Sequence, residues 1–116
     1  MPDDMKKITA AFYQAASGSE PVRDWLLDLS REDRQVIGND IKTVEFGWPI
    51  GMPVCRHLEK GIWEVRSDLP SNRISRVLFC ICDGEMILLH GFIKKTQKTP
   101  PGEIALAVSR RKEMGL

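Results

Sequence analysis

The sequence predicts an α+β domain in which a small antiparallel sheet carries an N-terminal helical hairpin and a C-terminal helix. Apolar residues recur at helical spacing between residues 20 and 46, whereas residues 61–95 alternate with the two-residue period of strands. Within that second stretch, Asp83-Gly84 is the strongest signal for a two-residue hairpin turn. Helices and strands therefore occupy separate parts of the chain, which is typical of an α+β domain.

A short strand and two helices are predicted in the first half. Residues 8–14 are weakly strand-like and end in a Ser-Gly-Ser break. Ser19 and Pro21 are typical of a helix start, because a cap residue precedes a proline in the first turn. The apolar stripe of this helix consists of Val22, Trp25, Leu26 and Leu29. Ser30 ends that helix and caps the next one, which reaches Gly47, so the two helices form a hairpin.

Three strands and one helix are predicted in the second half. Residues 61–67, 74–82 and 85–95 form an antiparallel meander, and the turn between its last two strands fixes the register. The middle strand is apolar on both faces, which is typical of a central strand that is covered on both sides. Thr99 as cap and Pro101 in the first turn predict the last helix. With the N-terminal strand, the sheet is expected to have four strands.

Composition limits the class of protein. The chain has 116 residues and a formal net charge of +1, which suits one globular domain over residues 1–116. No apolar run approaches a membrane span and the acidic N-terminus is unlike a signal peptide, so a cytoplasmic protein with no membrane partner is expected. Cys55, Cys80 and Cys82 are predicted to be buried, reduced thiols. They lack metal-ligand spacing, and no metal or other cofactor is predicted.

The near-neutral total hides an uneven distribution of charge. Residues 1–50 contain six basic and nine acidic residues, which gives −3, while residues 51–116 contain eleven and seven, which gives +4. Residues 90–112 alone contain six basic residues and one acidic residue, which gives +5. This basic segment predicts an anionic partner. The alternative, a solvated charged face or simple helix capping, stays open for the last three of these basic residues.

Polar residues inside the predicted strands are the candidates for chemistry. Cleavage of RNA without a metal needs three things: a base for the ribose 2′-hydroxyl, cations for the phosphoryl oxygens and an acid for the leaving 5′-oxygen. Arginine, lysine and histidine on one rigid sheet can supply them. His90 and Lys94 have the same parity as Met86 and Leu88, so we expect these four side chains on one face. A strand histidine among apolar neighbours is more often a core residue, and that alternative stays open.

Four segments form a recognisable set of motifs. The most specific one is His-Gly-Phe-x-Lys-Lys-Thr-x-Lys-Thr-Pro over residues 90–100. Gly-Trp-Pro covers residues 47–49, Gly-x-Trp-Glu-x-Arg covers residues 61–66, and Arg-Val-Leu covers residues 76–78. Together they resemble the phage-derived, HigB-like branch of the RelE/ParE toxin superfamily, over residues 20–112. The fold implied by this resemblance is a small antiparallel sheet with an N-terminal helical hairpin and a C-terminal helix.

The resemblance implies the toxin of a type II toxin–antitoxin system that cleaves mRNA on the ribosome without a metal. It implies a cognate antitoxin, often with a helix-turn-helix domain, and the ribosome with its mRNA as partners. The catalytic candidates are the phosphate-stabilising Arg76, the basic strand residues Arg66 and Lys94, and the proton-transfer group His90. The RNA-binding candidates are Lys60, Arg73, Lys95, Lys98, Arg110 and Arg111.

A non-enzymatic function stays open beside the nuclease. ParE-like members of the same superfamily poison DNA gyrase, and a degenerate phage member would only bind an antitoxin. A shared fold does not decide between these functions. A nuclease would produce new mRNA ends, whereas a gyrase poison would produce an SOS response with intact mRNA.

Overall fold

The computed structural model describes residues 5–94 and 98–116. In chain order its elements are β1 (Thr9–Phe12), α1 (Pro21–Leu27), α2 (Arg31–Gly47), β2 (Cys55–Glu59), β3 (Ile62–Leu69), β4 (Arg73–Cys82), β5 (Glu85–Lys94) and α3 (Pro101–Glu113). The strands form one sheet with the spatial order β1-β5-β4-β3-β2. The predicted α+β class is confirmed. Within the described ranges, no helix is both long enough and apolar enough to cross a membrane.

The sheet differs from the prediction in two ways. β1 pairs with β5 in parallel, with Thr9 opposite Glu85, so the sheet is mixed rather than antiparallel. β2 is an additional strand, antiparallel to β3, which makes five strands instead of four in the described part of the chain. Its sequence, Cys-Arg-His-Leu-Glu, is too short and too polar to show the apolar alternation from which strands are predicted. The signal that remains is the turn that follows it, where Lys60 and Gly61 have φ angles of 51° and 74°.

The predicted meander of β3, β4 and β5 is confirmed. Asp83 and Gly84 have φ angles of 50° and 77°, and positive φ at both positions is what a type I′ turn requires. β4 lies in the middle of the sheet, and its residues 74–80 are all buried. Cover on both faces explains why its sequence is apolar on both faces.

Two apolar layers enclose the sheet, one on each face. The helical hairpin of α1 and α2 covers one face, with Val22, Ile37 and Val44 buried against strand residues. On this side Trp48, from the Gly-Trp-Pro segment, packs edge-on against Trp63 at 4.8 Å between ring centroids. α3 covers the opposite face, where its buried residue Ala107 packs in a second apolar cluster. We call the two faces of the sheet the hairpin side and the α3 side, and successive side chains of a strand alternate between them.

The helix starts agree with the sequence in part. Ser30 caps α2 as predicted, and its Oγ accepts a hydrogen bond from the Asp33 N–H at 3.1 Å. The N-cap of α1 is Glu20 rather than Ser19, and it makes no side-chain capping bond. The N-cap of α3 is Pro100, so the prediction of Thr99 as the cap is wrong. The Thr99 hydroxyl has buried charged partners on the sheet instead.

A β-bulge in β5 changes which side chains share a face. Leu78 lies opposite His90. The next residue of β4, Phe79, lies opposite Leu88, so Leu89 is the extra residue of the bulge. Met86 and Leu88, before the bulge, face the hairpin, whereas His90, after it, faces α3. The predicted shared face therefore holds for His90 and Lys94 but is wrong for Met86 and Leu88, because one inserted residue reverses the two-residue alternation of the strand.

The glycine of the His-Gly-Phe segment is required by the packing of α1. The indole ring of Trp25 lies directly over Gly91 on the hairpin side of β5. A Cβ atom at position 91 would lie only 2.5 Å from Cε3 of Trp25. α1 spans only Pro21–Leu27, and it also buries Val22 in the hairpin-side core. The contact between a bare backbone and an indole ring helps to fix α1 on β5.

We expect Gly91→Ala to lower the free energy of unfolding by about 2 kcal/mol, because the added methyl group overpacks the contact with Trp25. Gly38→Ala is the matched control. Gly38 is exposed on α2 with nothing within 4 Å of its added Cβ, so this variant should be about 1 kcal/mol more stable. Urea denaturation measures both values. Equal effects of the two substitutions would contradict the assigned contact.

Candidate functional site

Three arginines from three adjacent strands surround one small pocket on the α3 side of the sheet. Arg56 of β2, Arg66 of β3 and Arg76 of β4 all line it. Arg66 lies directly opposite Arg76 in the β3–β4 pairing, and Glu64 lies opposite Arg56 in the β2–β3 pairing. Strand alternation places these four side chains on the same face. We call this site the arginine pocket; its other lining residues are Met52, Pro53, Val54 and Cys55.

Glu64 connects the charged groups of the arginine pocket. The guanidinium of Arg76 is only 1% exposed, and its Nη1 donates to the Thr99 Oγ1 at 2.8 Å and lies 3.9 Å from the Glu64 Oε1. The Thr99 hydroxyl donates in turn to the same carboxylate oxygen. The Nη2 of Arg56 lies 3.0 Å from the other oxygen of Glu64. A buried carboxylate with several donors holds these cations in place, and each partner offsets the cost of burying the others.

The pocket concentrates positive charge. Burial lowers the pKa of Arg76, the Glu64 carboxylate opposes this shift, and the positive charges of Arg66 and Arg56 lower the pKa further. An arginine stays protonated in spite of such shifts. Among the residues that line the pocket, three carry a positive charge and one a negative charge. The net charge of the pocket lining, +2, exceeds the formal net charge of the whole chain, which is +1.

The size of the pocket limits what can enter it. Its volume is about 20 Å³, which is room for about one water molecule or one oxygen atom. An anionic oxygen at this position would be surrounded by guanidinium groups, which recognise phosphate and carboxylate oxygens through several hydrogen bonds. The pocket can therefore receive a single oxygen of a larger anion that stays outside.

Cys55 also borders the pocket but has the properties of a core residue. Burial raises the pKa of its thiol to about 11, and the nearby Glu64 carboxylate raises it as well. A thiol with such a pKa is protonated at neutral pH and is a poor nucleophile. All three cysteines are free, as predicted, although Cys82 is only partly buried. Within the described ranges, no three His, Cys, Asp or Glu side chains group together as a metal site would require.

The catalytic candidates lie at different distances from this pocket. Arg66 and Arg76 line it, and the side chain of Arg66 is 28% exposed at its mouth, 3.9 Å from Asp68. Lys94 is exposed at the end of β5, two residues beyond the Phe92 that lies opposite Arg76. Lys94 therefore lies on the same face of the sheet as Arg76, two residue pairs along the ladder.

His90 lies under α3 and not among the pocket-lining residues. Its Nε2 forms a short contact with the Oε1 of Glu103, in the first turn of α3. Its ring stacks on Phe92 with 5.5 Å between the centroids. Glu103 fixes one ring nitrogen, so His90 joins α3 to β5 at the helix N-terminus.

Three of the RNA-binding candidates, Arg73, Arg110 and Arg111, contact the protein scaffold through their side chains. Arg73 forms two bonds to the Asp33 carboxylate on the hairpin side, with distances of 2.8 and 3.0 Å. Arg110 donates to the carbonyl of Leu89, the bulge residue, at 2.7 Å. The Arg111 guanidinium donates to the carbonyl of Lys60 in the β2–β3 turn at 3.1 Å, while the Lys60 side chain is exposed. Lys98 is exposed beside Thr99, and Lys95 lies outside the described residues.

Two members of the site, Arg56 and Thr99, were not predicted from the sequence. Arg56 was not predicted as a site residue because its strand, β2, was not predicted. Thr99 was not predicted as one because it was interpreted as a helix cap. Glu64 was visible as a charged residue among apolar neighbours in a strand, which is a signal for a buried partner. The only tyrosine of the sequence, Tyr13, is buried against the C-terminal part of α3. Its hydroxyl donates a hydrogen bond to Glu113, and the Arg110 guanidinium lies 5.5 Å from the centre of its ring.

Comparison with protein-family models matches residues 24–112 to the family described as phage derived protein Gp49-like (DUF891). The chain belongs to the Gp49-like family. This family lies within the RelE/ParE-like toxin superfamily. No curated protein matches the chain. The matched region of this Gp49-like protein contains the whole arginine pocket, from Met52 to Arg76, together with Thr99.

We expect Arg76→Met to lower the free energy of unfolding by about 3 kcal/mol, because Glu64 loses a buried cationic partner. This loss of stability is at the lower end of the range for a broken buried ion pair, because Arg56 and Thr99 still contact the Glu64 carboxylate. The double variant Glu64→Gln with Arg76→Met should recover most of this stability, since both charges are gone. A double-mutant cycle in urea with all four proteins measures the coupling. Strict additivity of the two single effects would contradict it.

The Asp33–Arg73 contact predicts a specific loss of stability in acid. Hydrogen bonding from Arg73 lowers the pKa of Asp33 below its ordinary value, so this pair stabilises the fold above the unfolded-state pKa. That contribution is lost as the pH falls through the lower folded-state pKa. The gap in unfolding free energy between the native chain and Asp33→Asn should therefore narrow from about pH 5 to pH 3. Glu32→Gln, an exposed change in the same helical turn, is the control and should show no comparable trend.

Proposed function

We propose that this Gp49-like protein is the toxin of a type II toxin–antitoxin system, of the HigB-like branch, and that it cleaves mRNA on the ribosome without a metal. The observation that carries this proposal is the arginine pocket. It combines three guanidinium groups, from Arg56, Arg66 and Arg76, with room for one anionic oxygen. Membership of a toxin superfamily supports a toxin function and an antitoxin partner.

The chemistry that such a pocket can support is transesterification of RNA. The ribose 2′-oxygen loses its proton and attacks the adjacent phosphorus, and the bond from phosphorus to the 5′-oxygen breaks. The products are a 2′,3′-cyclic phosphate and a 5′-hydroxyl end, with one proton removed from the nucleophile and one delivered to the leaving group. Negative charge grows on the non-bridging oxygens in the transition state. Fixed cations in a water-poor pocket stabilise that charge without reorganisation.

Each arginine has a distinct place in this proposal. Arg76 is buried and held by Glu64 and Thr99, so it supplies a fixed positive charge at the floor of the pocket. Arg66, at the mouth, is partly exposed and can contact a non-bridging oxygen directly. Arg56 is partly exposed on the edge strand and can contact the same phosphate or its neighbour. Glu64 pairs with Arg56 and Arg76 and accepts a hydrogen bond from Thr99, which makes it a positioning residue.

His90 is the proposed proton-transfer group. Glu103 holds Nε2, which leaves Nδ1 as the nitrogen able to exchange a proton with a substrate. His90 lies on the same face as Arg76, two residue pairs along the β4–β5 ladder. Lys94 extends this face toward the strand end, where with Lys98 it can contact flanking phosphates.

The ribosome is the proposed context of cleavage. A net charge of +1 gives the chain little long-range attraction for free RNA, because steering depends on the summed field of the protein. The positive charge is instead local to the pocket and its surroundings. A site of this kind works best on an mRNA that the ribosome already holds in place.

The decisive variant is Arg66→Ala. We expect it to reduce mRNA cleavage by about 10²- to 10³-fold, the usual cost of losing one transition-state donor. Its unfolding free energy should change by less than about 1 kcal/mol, because the side chain is partly exposed and its contact with Asp68 is weak. Induction in a bacterial host, followed by mapping of mRNA 5′ ends, measures the cleavage. Arg31→Ala, an exposed arginine of α2, is the matched control and should cleave like the native chain.

Two outcomes would overturn the nuclease proposal. One is growth arrest by the native chain without new mRNA ends, and an accompanying SOS response would then indicate a ParE-like action on gyrase. The other is unchanged cleavage in Arg66→Ala and Arg76→Lys. If a His90→Ala variant kept the native pH profile of cleavage, His90 would not be the proton-transfer group. The proposed roles of the arginines would be unaffected by that result.

A further inference from the structure

A groove runs along α3 on the side of the edge strand β2. It consists of two clefts, of about 620 Å³ and 460 Å³, which share Glu59, Pro101 and Ile104 and are therefore continuous. Its floor is aliphatic, with Leu58 from β2 and Val108 from α3. We call it the β2–α3 groove. One of its ends reaches Arg56 and Thr99, so it opens beside the arginine pocket.

The groove has a basic rim. Arg56 and Lys98 border one end, and Lys60 and Lys112 border the other. Glu59 is the one acidic residue that lines either cleft. An aliphatic floor between cationic ends has the layout of a protein interface, which has an apolar centre and a polar rim. The partner that fits is an acidic segment with aliphatic side chains.

The edge of β2 adds a second recognition element to this groove. Residues 56–59 all line one cleft although their side chains alternate between faces, so this cleft follows the outer edge of the strand. The Arg66 N–H donates to the carbonyl of Val54 at 2.8 Å. In an antiparallel ladder the bonded pairs alternate, which turns the N–H and C=O of His57 outward toward the groove. These groups are a template for an added strand.

The opposite edge of the sheet is closed by a side chain. On β1 the N–H of Ala10 donates to the carboxylate of Glu45, from α2, at 2.7 Å. The ammonium group of Lys6 lies 3.4 Å from the same carboxylate. The fold thus blocks one edge with a carboxylate and surrounds the other with cations and an aliphatic floor. The edge of β2 is therefore the better template for an added strand.

We infer that the β2–α3 groove binds an extended acidic and aliphatic segment of the antitoxin, which adds as a strand to β2. This inference rests on the proposed function for the identity of the partner. The segment would place alternate aliphatic side chains on Leu58, Ile104 and Val108, and its carboxylates near the basic rim. It would also cover Arg56 at the mouth of the arginine pocket. Neutralisation of the toxin then follows from occupation of the groove.

The probe is a labelled peptide of about nine residues in which glutamate alternates with valine or leucine. A second peptide of the same pattern carries lysine in place of glutamate. We expect the full chain to bind the acidic peptide at least about tenfold more tightly in a fluorescence anisotropy titration, with the difference shrinking at high salt. The amide NMR signals of His57 and of α3 residues in the groove should shift. Equal binding of both peptides would overturn the inference.

Two variants on α3 locate the binding site. Ala105 is exposed and lines the groove, so Ala105→Glu adds a negative charge there and should weaken acidic-peptide binding by about tenfold. Leu106→Glu is the matched control, because Leu106 is exposed on the same helix but does not line the groove. Its binding should stay within about twofold of the native chain. An unaffected Ala105→Glu variant would overturn the proposed site.

RNA and a second copy of the chain are the other possible occupants of the β2–α3 groove, and each would give a different result. Displacement of the peptide by a single-stranded oligouridine would make the groove an RNA path and overturn the inference, as would self-association of the chain through this face in sedimentation. Failure of the nuclease proposal is distinguished from failure of this inference by measuring mRNA cleavage and peptide binding separately. Ala105→Glu should retain native mRNA cleavage while losing peptide binding, whereas a native chain without cleavage leaves the peptide result unchanged.

Discussion

The guanidinium of Arg76 is a charge buried in the central strand, and the surrounding structure is organised to satisfy it. A buried cation is tolerated only when paired and hydrogen-bonded, and Glu64 and Thr99 meet that requirement. Glu64 needs further donors, and Arg56 on the edge strand supplies one. The same requirement therefore joins β4, β3, β2 and the segment that leads into α3. The candidate site is the place where these four elements meet.

The strand β5 determines how the two layers are attached to this sheet. Its bulge at Leu89 shifts the alternation of side chains by one residue, so that Met86 and Leu88 face the hairpin whereas His90 and Phe92 face α3. The bulge leaves a carbonyl that Arg110 of α3 satisfies, and nearby Gly91 offers the flat surface that Trp25 of α1 covers. The irregular residues of β5 thus hold a helix on each face. They keep α3 in the position that forms one wall of the β2–α3 groove.

The basic residues of the chain divide into two groups with different tasks. Arg73, Arg110 and Arg111 bind a carboxylate or backbone carbonyls, so they hold helices against the sheet. A second set borders the arginine pocket and the groove: Arg56, Arg66, Arg76, Lys60, Lys98 and Lys112. One surface of this kind suits both an RNA phosphate and an acidic protein segment. Competition between two anionic partners for neighbouring cations is a direct way to neutralise a toxin.

The class of fold, the helical hairpin and the meander with its Asp83-Gly84 turn were predictable from the sequence, because local periodicity and turn chemistry are displayed without tertiary contacts. Two of the pocket arginines, Arg66 and Arg76, were predicted from the resemblance to a toxin superfamily. Long-range contacts in the folded chain establish that β2 exists, that β1 runs parallel to β5, and that a bulge separates His90 from Met86. They also establish which arginines are structural. Pairing across strands and ion pairs between distant residues depend on what lies nearby in space, and no local pattern contains that information.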